Sequence, residues 1–344
     1  MNYRLLGQSG LRVSELALGT MTFGEEWGWG SSREEAKKIY DRFREEGGNF
    51  IDTANVYTNG HSEELVGKFI HDHRDEVVLA TKFTNAAAGT DPNAAGNHRK
   101  SMMTAVDASL KRLKTHYLDL YWLHIWDQLT PVEEVMRAFN DLVREGKVLY
   151  VGVSDAPAWW IAQANTIAQF NGWTQFVGLQ IEYSLIERTV ERDLIPMSKA
   201  LGLGVVAWSP LAGGLLSGKY SGAQQPIEAR YSSEMMKEFL PDPERQERIV
   251  SAVRKVSDET GWSLAQVALA WLRQRHIPVI PIIGARKISQ LEDNISSLSL
   301  TLTNSQVSEL DTTSQIDLGF PYNLYNRELA RTIAYGGMRD RIIT

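Results

Sequence analysis

The chain has 344 residues, of which 43% are hydrophobic and 23% charged, a composition typical of a globular protein with one large core. Its net charge of −6 and pI near 5.7 exclude the basic surface of a nucleic-acid-binding protein, and no polybasic segment indicates a membrane surface. The absence of cysteine excludes disulfides, thiol nucleophiles and thiolate metal sites. No signal-peptide pattern or long apolar stretch occurs, so we expect a cytoplasmic protein that acts on a small molecule. Nothing in the sequence indicates an oligomeric state.

Extended and helical patterns alternate from the N-terminus onward. Residues 1–14 predict a β-hairpin, because two short extended segments flank the turn-rich residues 7–10. Apolar runs then predict eight buried strands, at 16–20, 50–52, 77–82, 118–124, 149–154, 176–182, 204–208 and 278–283. Eight parallel strands, each followed by a helix, predict one α/β domain over 1–344 with the closed (β/α)8 architecture of a TIM barrel.

Helix starts and long connections complete the predicted outline. Serine residues at 31 and 32 before two glutamates predict a capped helix, and Thr130 followed by Pro131 predicts another cap with proline at the first helical position. The polar loop at 83–97 follows a strand end, and we interpret it as a wall of a substrate pocket. Residues 211–245 form an insert suited to cover a cofactor, and 315–344 form a C-terminal extension.

Four side chains with reactive groups follow the first predicted strands. Asp52, Lys82 and His124 each stand at the carboxyl end of an apolar run, and Tyr57 lies five residues after Asp52. Barrel enzymes place their chemistry at this end of the strands. Taken singly, the aspartate and lysine would suit loop ion pairs, and the histidine would suit a packed ring. Their common position instead favours one catalytic group.

These four residues in their contexts resemble the catalytic tetrad of the aldo-keto reductases. Five further segments carry the same resemblance, at 19–21, 151–154, 180–184, 208–211 and 283–287. Residues 152–159 and the insert after Trp208 are most similar to the aryl-alcohol-dehydrogenase-like bacterial branch of the family. The resemblance implies that the hairpin closes the bottom of the barrel.

The resemblance implies carbonyl reduction with a tyrosine as the general acid. A phenol has a reference pKa near ~10 and exchanges protons slowly at neutral pH unless a nearby cation stabilises its anion. Lys82 would be that cation for Tyr57, and Asp52 would hold the ammonium in place. His124 would donate a hydrogen bond to the carbonyl oxygen of the substrate. None of the four can supply a hydride, so a nicotinamide is required.

The chain has no G-x-G-x-x-G turn near its N-terminus, which argues against a Rossmann domain. The resemblance implies instead that the cofactor, NADP(H), binds across the barrel mouth. Ser154 and Gln180 would bind the carboxamide, whereas Asp155 stands where most of the family has asparagine and cannot donate an amide hydrogen bond. Trp208 would stack on the nicotinamide, although core packing is an alternative role. Arg286 would bind the 2′-phosphate, although it could also be an exposed residue at a helix start. The loop after Trp208 is suited to bind the pyrophosphate through backbone amides and a small hydroxyl, supplied by Ser209, Leu211, Ala212 and Gly213. Three residues resemble the family's adenine contacts: Gln290, Asp293 and Asn294. The remaining predicted cofactor residues are Thr20, Met21, Asp52, Pro210, Lys219, Arg230 and Gly284.

Aromatic residues after the strand ends predict a pocket for flat, apolar carbonyl compounds. The predicted substrate residues are Trp27, Trp29, Tyr57, Phe83 and Trp126. For Trp27 and Trp29, an alternative is that they only cover the barrel rim. No metal ligand set is predicted, since a metal-dependent barrel hydrolase or aldolase needs several ligands at strand ends and only His124 is found there. An alternative to the reductase function is a redox-sensing, NADP(H)-binding regulatory subunit similar to potassium-channel β subunits.

Overall fold

Eight parallel strands close into a barrel in the computed structural model, which describes residues 1–86, 89–219, 242–325 and 327–343. An antiparallel hairpin of β1 (Tyr3–Leu5) and β2 (Arg12–Ser14) precedes it. The barrel strands are β3 (Ala17–Gly19), β4 (Phe50–Asp52), β5 (Val78–Phe83), β6 (Leu118–Leu123), β7 (Val148–Ser154), β8 (Phe176–Glu182), β9 (Gly204–Trp208) and β10 (Val279–Gly284). Neighbours follow chain order, and β10 pairs with β3 to close the ring. The predicted (β/α)8 fold and all eight predicted strands are confirmed.

Helices connect the strands and surround the barrel. In the described residues they are α1 (Arg33–Glu45), α2 (His61–Phe69), α3 (Arg99–Leu113), α4 (Val132–Arg144), α5 (Ala158–Asn171), α6 (Leu194–Leu201), α7 (Pro243–Thr260), α8 (Leu264–Arg273), α9 (Ile288–Ser296), α10 (Asn304–Ser314), α11 (Tyr322–Tyr325) and α12 (Glu328–Ala334). The Ser32 hydroxyl accepts the Glu35 N–H and caps α1, as predicted. The prediction for α4 was one residue early. Pro131 is its cap residue, and the Thr130 hydroxyl donates to Asp127 instead.

Two separate cores stabilise the barrel. The inner core fills the barrel itself and includes Phe50, Ala80 and Trp122, together with Leu6 and Val13 from the hairpin region. Because the hairpin contributes to this inner core, it closes the bottom of the barrel, as the family resemblance implied. The larger outer core lies between the strands and the helices. Both arise from strand geometry, since successive side chains of a strand point to opposite faces of the sheet.

Strand register decides which side chains face the inside of the barrel. Asp52 on β4 pairs with Ala80 on β5, and Lys82 lies two residues farther along β5. Residues two apart share a face, so Asp52 and Lys82 point to the same interior. Phe83 is the next residue and belongs to the outer core. Adjacent residues of one strand thus serve two different environments.

The C-terminal segment after α10 carries many exposed apolar side chains. Among them are Phe320, Leu329 and Ile333 on or near the short helices α11 and α12, each more than two-thirds exposed. Throughout the described part of the chain, no helix has the length and apolar character that a bilayer crossing requires.

Candidate active site

A cavity of about 570 Å³ opens at the carboxyl ends of the strands. Its size is within the range of small-molecule sites. Twenty of the residues predicted from the sequence line it: Met21, Trp27, Trp29, Asp52, Tyr57, His124, Ser154, Asp155, Gln180, Trp208, Ser209, Pro210, Leu211, Gly213, Lys219, Gly284, Arg286, Gln290, Asp293 and Asn294. The structure therefore brings together segments that lie more than 200 residues apart in the sequence.

A buried ammonium is the centre of one end of this cavity, which is called the catalytic end after the role predicted for its residues. Lys82 is fully buried, and its Nζ donates three hydrogen bonds: to Asp52 Oδ1, to the Thr53 carbonyl oxygen at 2.8 Å and to Tyr57 Oη at 3.2 Å. Burial disfavours the charged amine, but Asp52 and Tyr57 outweigh that penalty, so the pKa of Lys82 is raised. The lysine therefore stays charged, and all three of its N–H groups are used.

The second oxygen of the same carboxylate has its own partner. Gln180 is buried on β8, and its Nε2 donates to Asp52 Oδ2 at 2.9 Å. The carboxylate thus receives hydrogen bonds from an ammonium and an amide, which satisfies a buried charge. The amide that was predicted to bind a carboxamide is therefore also part of the support of Asp52.

A strained turn fixes Tyr57 next to this pair. Thr58, Asn59 and Gly60 have φ of 47°, 56° and 93°, a left-handed run that is costly for residues other than glycine. The Thr58 hydroxyl donates to the Phe23 carbonyl at 3.0 Å and accepts the Ser62 N–H at 2.9 Å. These two hydrogen bonds stabilise the turn, which the sequence analysis did not single out.

His124 lies on the other side of the phenol, with its ring edge-to-face to Tyr57 at 6.1 Å between centroids. Burial, and then the ammonium of Lys82, lower the pKa of His124 to about 3. The ring is therefore neutral at pH 7 and carries a single N–H that it can donate. Nδ1 is buried and has no hydrogen-bond partner among the described residues.

The neighbouring strand ends provide polar groups that fit a carboxamide. Ser154 is buried at the end of β7 and lines the cavity, with its hydroxyl beside the Asp155 carboxylate. This hydroxyl has hydrogen-bonding capacity left for a ligand. The Trp208 indole N–H donates to Asp155 Oδ1 at 3.0 Å, which fixes the plane of the ring that lines the cavity. These residues fit a bound nicotinamide.

Asp155 has a backbone conformation and a pKa unlike those of an ordinary exposed aspartate. Its φ is 44°, in the left-handed region. The side chain is solvent-exposed at the mouth, yet desolvation by the surrounding protein raises its pKa to about 6, and the hydrogen bond from Trp208 only partly offsets this. Asp155 can therefore change charge within the physiological pH range.

The loop after β9 is compact and bonded to itself. The Ala212 N–H donates to the Ser209 carbonyl at 2.8 Å, and the Gly213 N–H donates to Ser209 Oγ at 3.1 Å. Ala212 is buried and does not line the cavity. The prediction that these amides face a pyrophosphate is therefore not met by this loop conformation, whereas Ser209, Leu211 and Gly213 do line the cavity.

Three cationic side chains lie at the opposite end of the cavity, which is called the cationic end. Lys219 and Arg286 both line it, and Lys287 is the cap residue of α9. Partial burial, then the charges of Arg286 and Lys287, lower the pKa of Lys219. The start of α9 adds its helix dipole to this charge, so the region suits a phosphate. Arg230, predicted to bind the cofactor, lies outside the described residues, as do 220–241 of the insert.

Two predicted adenine contacts also have structural roles. Gln290 Oε1 accepts the Arg286 N–H at 2.8 Å, and Asp293 Oδ2 accepts the Ser263 hydroxyl at 3.0 Å. Both residues line the cavity. These hydrogen bonds fix α9 to the preceding loop and to the start of α8, so the cationic end of the cavity has a defined shape.

Three indole or phenol rings form the aromatic wall of the cavity. Trp27 lies 5.7 Å from Trp29 and 6.5 Å from Tyr57, measured between ring centroids. All three line the cavity, so the tryptophans do more than cover the barrel rim. Thr20 does not reach it. Its side chain is buried and its hydroxyl contacts Ser62 at 2.9 Å.

The prediction that Phe83 contacts substrate was wrong. The ring is fully buried and packs on Tyr121 and Phe139 with centroids 5.3 and 5.7 Å away. Strand alternation explains this, because Lys82 faces the barrel interior and its successor must face the helices. The described residues of the loop at 84–97 do not line the cavity either.

Trp126 also lies outside the cavity lining. It is half-buried at the rim, where its ring packs edge-to-face on Trp159 at 5.6 Å. Trp126 was predicted as a substrate residue of the pocket; the structure places it at the expected end of the barrel but outside the cavity.

Some cavity residues were not predicted. They are Gly19, Thr22, Val56, Gly214, Ser217, Ala265, Ile282, Ile283 and Ala285. Most of them adjoin predicted residues and could have been found by extending each motif. Ala265 could not, since it lies on α8 and only the fold brings it to the cavity. Gly19 has a steric reason for its identity, because a Cβ there would lie 2.6 Å from Ile282 Cγ2.

Known proteins resemble this chain over most of its length. The model of the aldo/keto reductase family matches residues 15–315. The norsolorinic acid reductase stcV of Emericella nidulans is 40% identical, with 91% of this chain and 81% of that protein covered. The putative aryl-alcohol dehydrogenase AAD14 of Saccharomyces cerevisiae is 37% identical, covering 94% and 89%. An aryl-alcohol dehydrogenase (NADP+) of Phanerodontia chrysosporium is also 37% identical, covering 92% and 86%.

Proposed function

Since the chain belongs to the aldo/keto reductase family, we propose that it catalyses the reversible, NADPH-dependent reduction of aromatic or hydrophobic aldehydes and ketones to alcohols. One observation carries this proposal. Lys82 donates one hydrogen bond to Tyr57 Oη while Asp52 and the Thr53 carbonyl take its other two. Because the phenol oxygen already accepts from the ammonium, its own proton can be donated to a substrate oxygen.

The bound nicotinamide would supply the hydride, which carries the electron pair to the carbonyl carbon. Tyr57 would donate its proton to the oxygen as that oxygen gains negative charge, and the resulting phenolate would be stabilised by Lys82 at 3.2 Å. Water then returns the proton to Tyr57. In alcohol oxidation the same phenolate acts as the base.

His124 would orient the substrate. Its pKa of about 3 leaves the ring neutral, so it donates a hydrogen bond without adding a charge that would compete with Lys82. The carbonyl oxygen would then be held between the imidazole and the phenol, whose centroids are 6.1 Å apart. Holding the carbonyl between two donors aligns it before the reaction.

The preference for NADPH rests on the cationic end of the cavity. Desolvation lowers the pKa of Lys219, and the nearby charges of Arg286 and Lys287 lower it further. A 2′-phosphate would relieve this repulsion, and a guanidinium can bind it through two parallel hydrogen bonds. NADH lacks that phosphate. The name of the Phanerodontia chrysosporium relative, an aryl-alcohol dehydrogenase (NADP+), is consistent with this preference.

A substrate panel tests the proposal. Benzaldehyde, butanal and glucose would each be assayed with NADPH and with NADH, by following oxidation of the reduced nicotinamide. We expect kcat/KM to fall in that order, because Trp27, Trp29 and Tyr57 offer ring contacts worth about 0.5–1.5 kcal/mol per pair. Failure to oxidise NADPH with any carbonyl compound would refute the activity. Faster reduction of glucose than of benzaldehyde would refute only the substrate class.

A further inference from the structure

Two indole rings form an aromatic surface at the rim beside the cavity. Trp126 and Trp159 pack edge-to-face, with centroids 5.6 Å apart and an interplanar angle of 89°. Trp160 supports the half-buried Trp126 from within at 6.4 Å and is itself buried. Trp159 remains 61% exposed. A large aromatic ring at this degree of exposure has contact area left for a ligand.

This surface adjoins the catalytic end of the cavity. The backbone N–H of Trp126 donates to the backbone carbonyl of Asp155 at 3.3 Å, and Asp155 lines the cavity. His124, another cavity residue, precedes Trp126 by two positions, and Trp159 follows Asp155 by four. The two tryptophans therefore stand directly outside the cavity, on the side of β6 and β7.

The segment that carries Trp126 is held rigidly although it lies at the surface. The Asp127 carboxylate accepts the N–H groups of Asn97, Leu129 and Thr130 at 2.7, 3.0 and 2.9 Å, as well as the Thr130 hydroxyl at 2.6 Å. Asn97 Oδ1 in turn accepts the Asp127 N–H at 2.7 Å. A preorganised aromatic loses little conformational entropy when a ligand binds, which favours affinity.

The volume of the cavity indicates what would lie on this surface. The cavity of about 570 Å³ has the size of one bound ligand, and its lining reaches as far as Asn294 in the cationic end. With a nicotinamide cofactor bound along that length, the distal ring of a longer aldehyde would extend over the rim, where Ile125 and Leu129 add exposed apolar surface next to Trp126.

We propose that Trp126 and Trp159 form an outer aromatic subsite that binds the distal ring of extended aryl aldehydes whose carbonyl group lies between Tyr57 and His124. The proposal rests on the function proposed above. It assigns these two tryptophans to specificity and not to the chemical step.

The test compares a one-ring with a two-ring substrate. Trp159→Ala should lower kcat/KM for para-phenylbenzaldehyde about twofold to tenfold, mainly through KM, because one ring contact is lost. Benzaldehyde, which does not reach the rim, should keep its kcat/KM within about twofold. Trp126→Ala should act in the same direction, and Trp159→Phe should retain most of the preference for the longer substrate.

Phe170→Ala is the matched control, since Phe170 is 87% exposed at the far end of the same helix, α5. This variant should change kcat/KM for neither aldehyde. An unchanged ratio of the two kcat/KM values in Trp159→Ala, or an equal loss for both aldehydes, would overturn the outer subsite while leaving the reductase activity intact. No oxidation of NADPH by the wild type with either aldehyde would overturn the proposed function, and the subsite with it.

Discussion

The two ends of the cavity carry charge in opposite ways. At the catalytic end, Lys82 and Asp52 are almost fully buried and are hydrogen-bonded to each other. At the other end, Lys219 lies close to two further cations, and its pKa is lowered by desolvation and then by their charges. The first end is complementary within itself, whereas the second brings three cationic side chains close to one another.

The catalytic end is therefore organised before any ligand binds, whereas the cationic end is suited to bind an anion. A buried charge must have its partner present when the protein folds, since its desolvation would otherwise be too costly. Exposed like charges are tolerated in water and gain free energy only when an anion arrives. Substitutions at the catalytic end should therefore alter rate and stability, and those at the cationic end should alter binding alone.

The largest effect is expected for Tyr57→Phe, which removes the proton donor but keeps the ring. The turnover number should fall by about 10²–10⁴, the usual contribution of a general acid. NADPH affinity, measured by fluorescence titration, should stay within about twofold, because the phenol hydroxyl is not among the cationic groups. Full turnover in this variant would refute the assignment of Tyr57.

Lys82→Met should reduce turnover comparably and also destabilise the fold. Among the described residues, the substitution leaves the buried Asp52 carboxylate with Gln180 as its remaining side-chain partner, and an uncompensated buried charge costs about 3–5 kcal/mol. Denaturant unfolding would measure the free energy of unfolding. The double variant Asp52→Asn with Lys82→Met should recover much of the stability and none of the activity. A fully active Lys82→Met would show that the ammonium does not assist the phenol.

At the cationic end, Arg286→Ala should weaken NADPH binding about tenfold to a hundredfold, as expected for a lost charge-assisted contact. NADH affinity and the free energy of unfolding should hardly change. Arg137→Ala, an exposed arginine on α4 away from the cavity, is the control for the change of net charge. Equal weakening of NADPH binding and NADH binding would show that Arg286 does not contact the 2′-phosphate.

A smaller, pH-dependent effect is expected between the two ends, at Asp155. Its pKa of about 6 means that it is protonated below that pH and can then donate a hydrogen bond to a carboxamide oxygen. NADPH affinity should therefore rise about twofold to tenfold as the pH falls through 6. The 2′-phosphate titrates in the same range, so the informative quantity is the ratio of affinities of wild type and Asp155→Asn. A ratio that stays constant with pH would exclude this role.

The strands, and the meeting of the four candidate catalytic residues at one end of the barrel, could be predicted because their signals are local. Each strand is an apolar run with a polar end, and Asp52, Lys82 and His124 each mark one such end. The barrel then follows from the number and alternation of elements, so the catalytic end of the cavity required no long-range information.

The predictions that failed concern residues whose position depends on which face of a strand they occupy, or on contacts with distant parts of the chain. Phe83 follows Lys82 directly, and only the strand register shows that it faces the helices. Trp126 needed the position of Trp159 before its place on the rim could be known. The N–H of Ala212 is used within its own loop, and Ala265 reaches the cavity through the packing of α8. None of these contacts leaves a trace in the nearby sequence.

The alternation of side chains in β5 also limits how genes for this protein can vary in length. Deleting or inserting one residue within Val78–Phe83 would turn every later side chain of that strand to the opposite face. The ammonium would then enter the apolar layer beneath the helices, and a phenylalanine would enter the hydrogen-bonded interior. Insertions and deletions should therefore accumulate in the connections between strands, while β5 itself diverges by point substitution only.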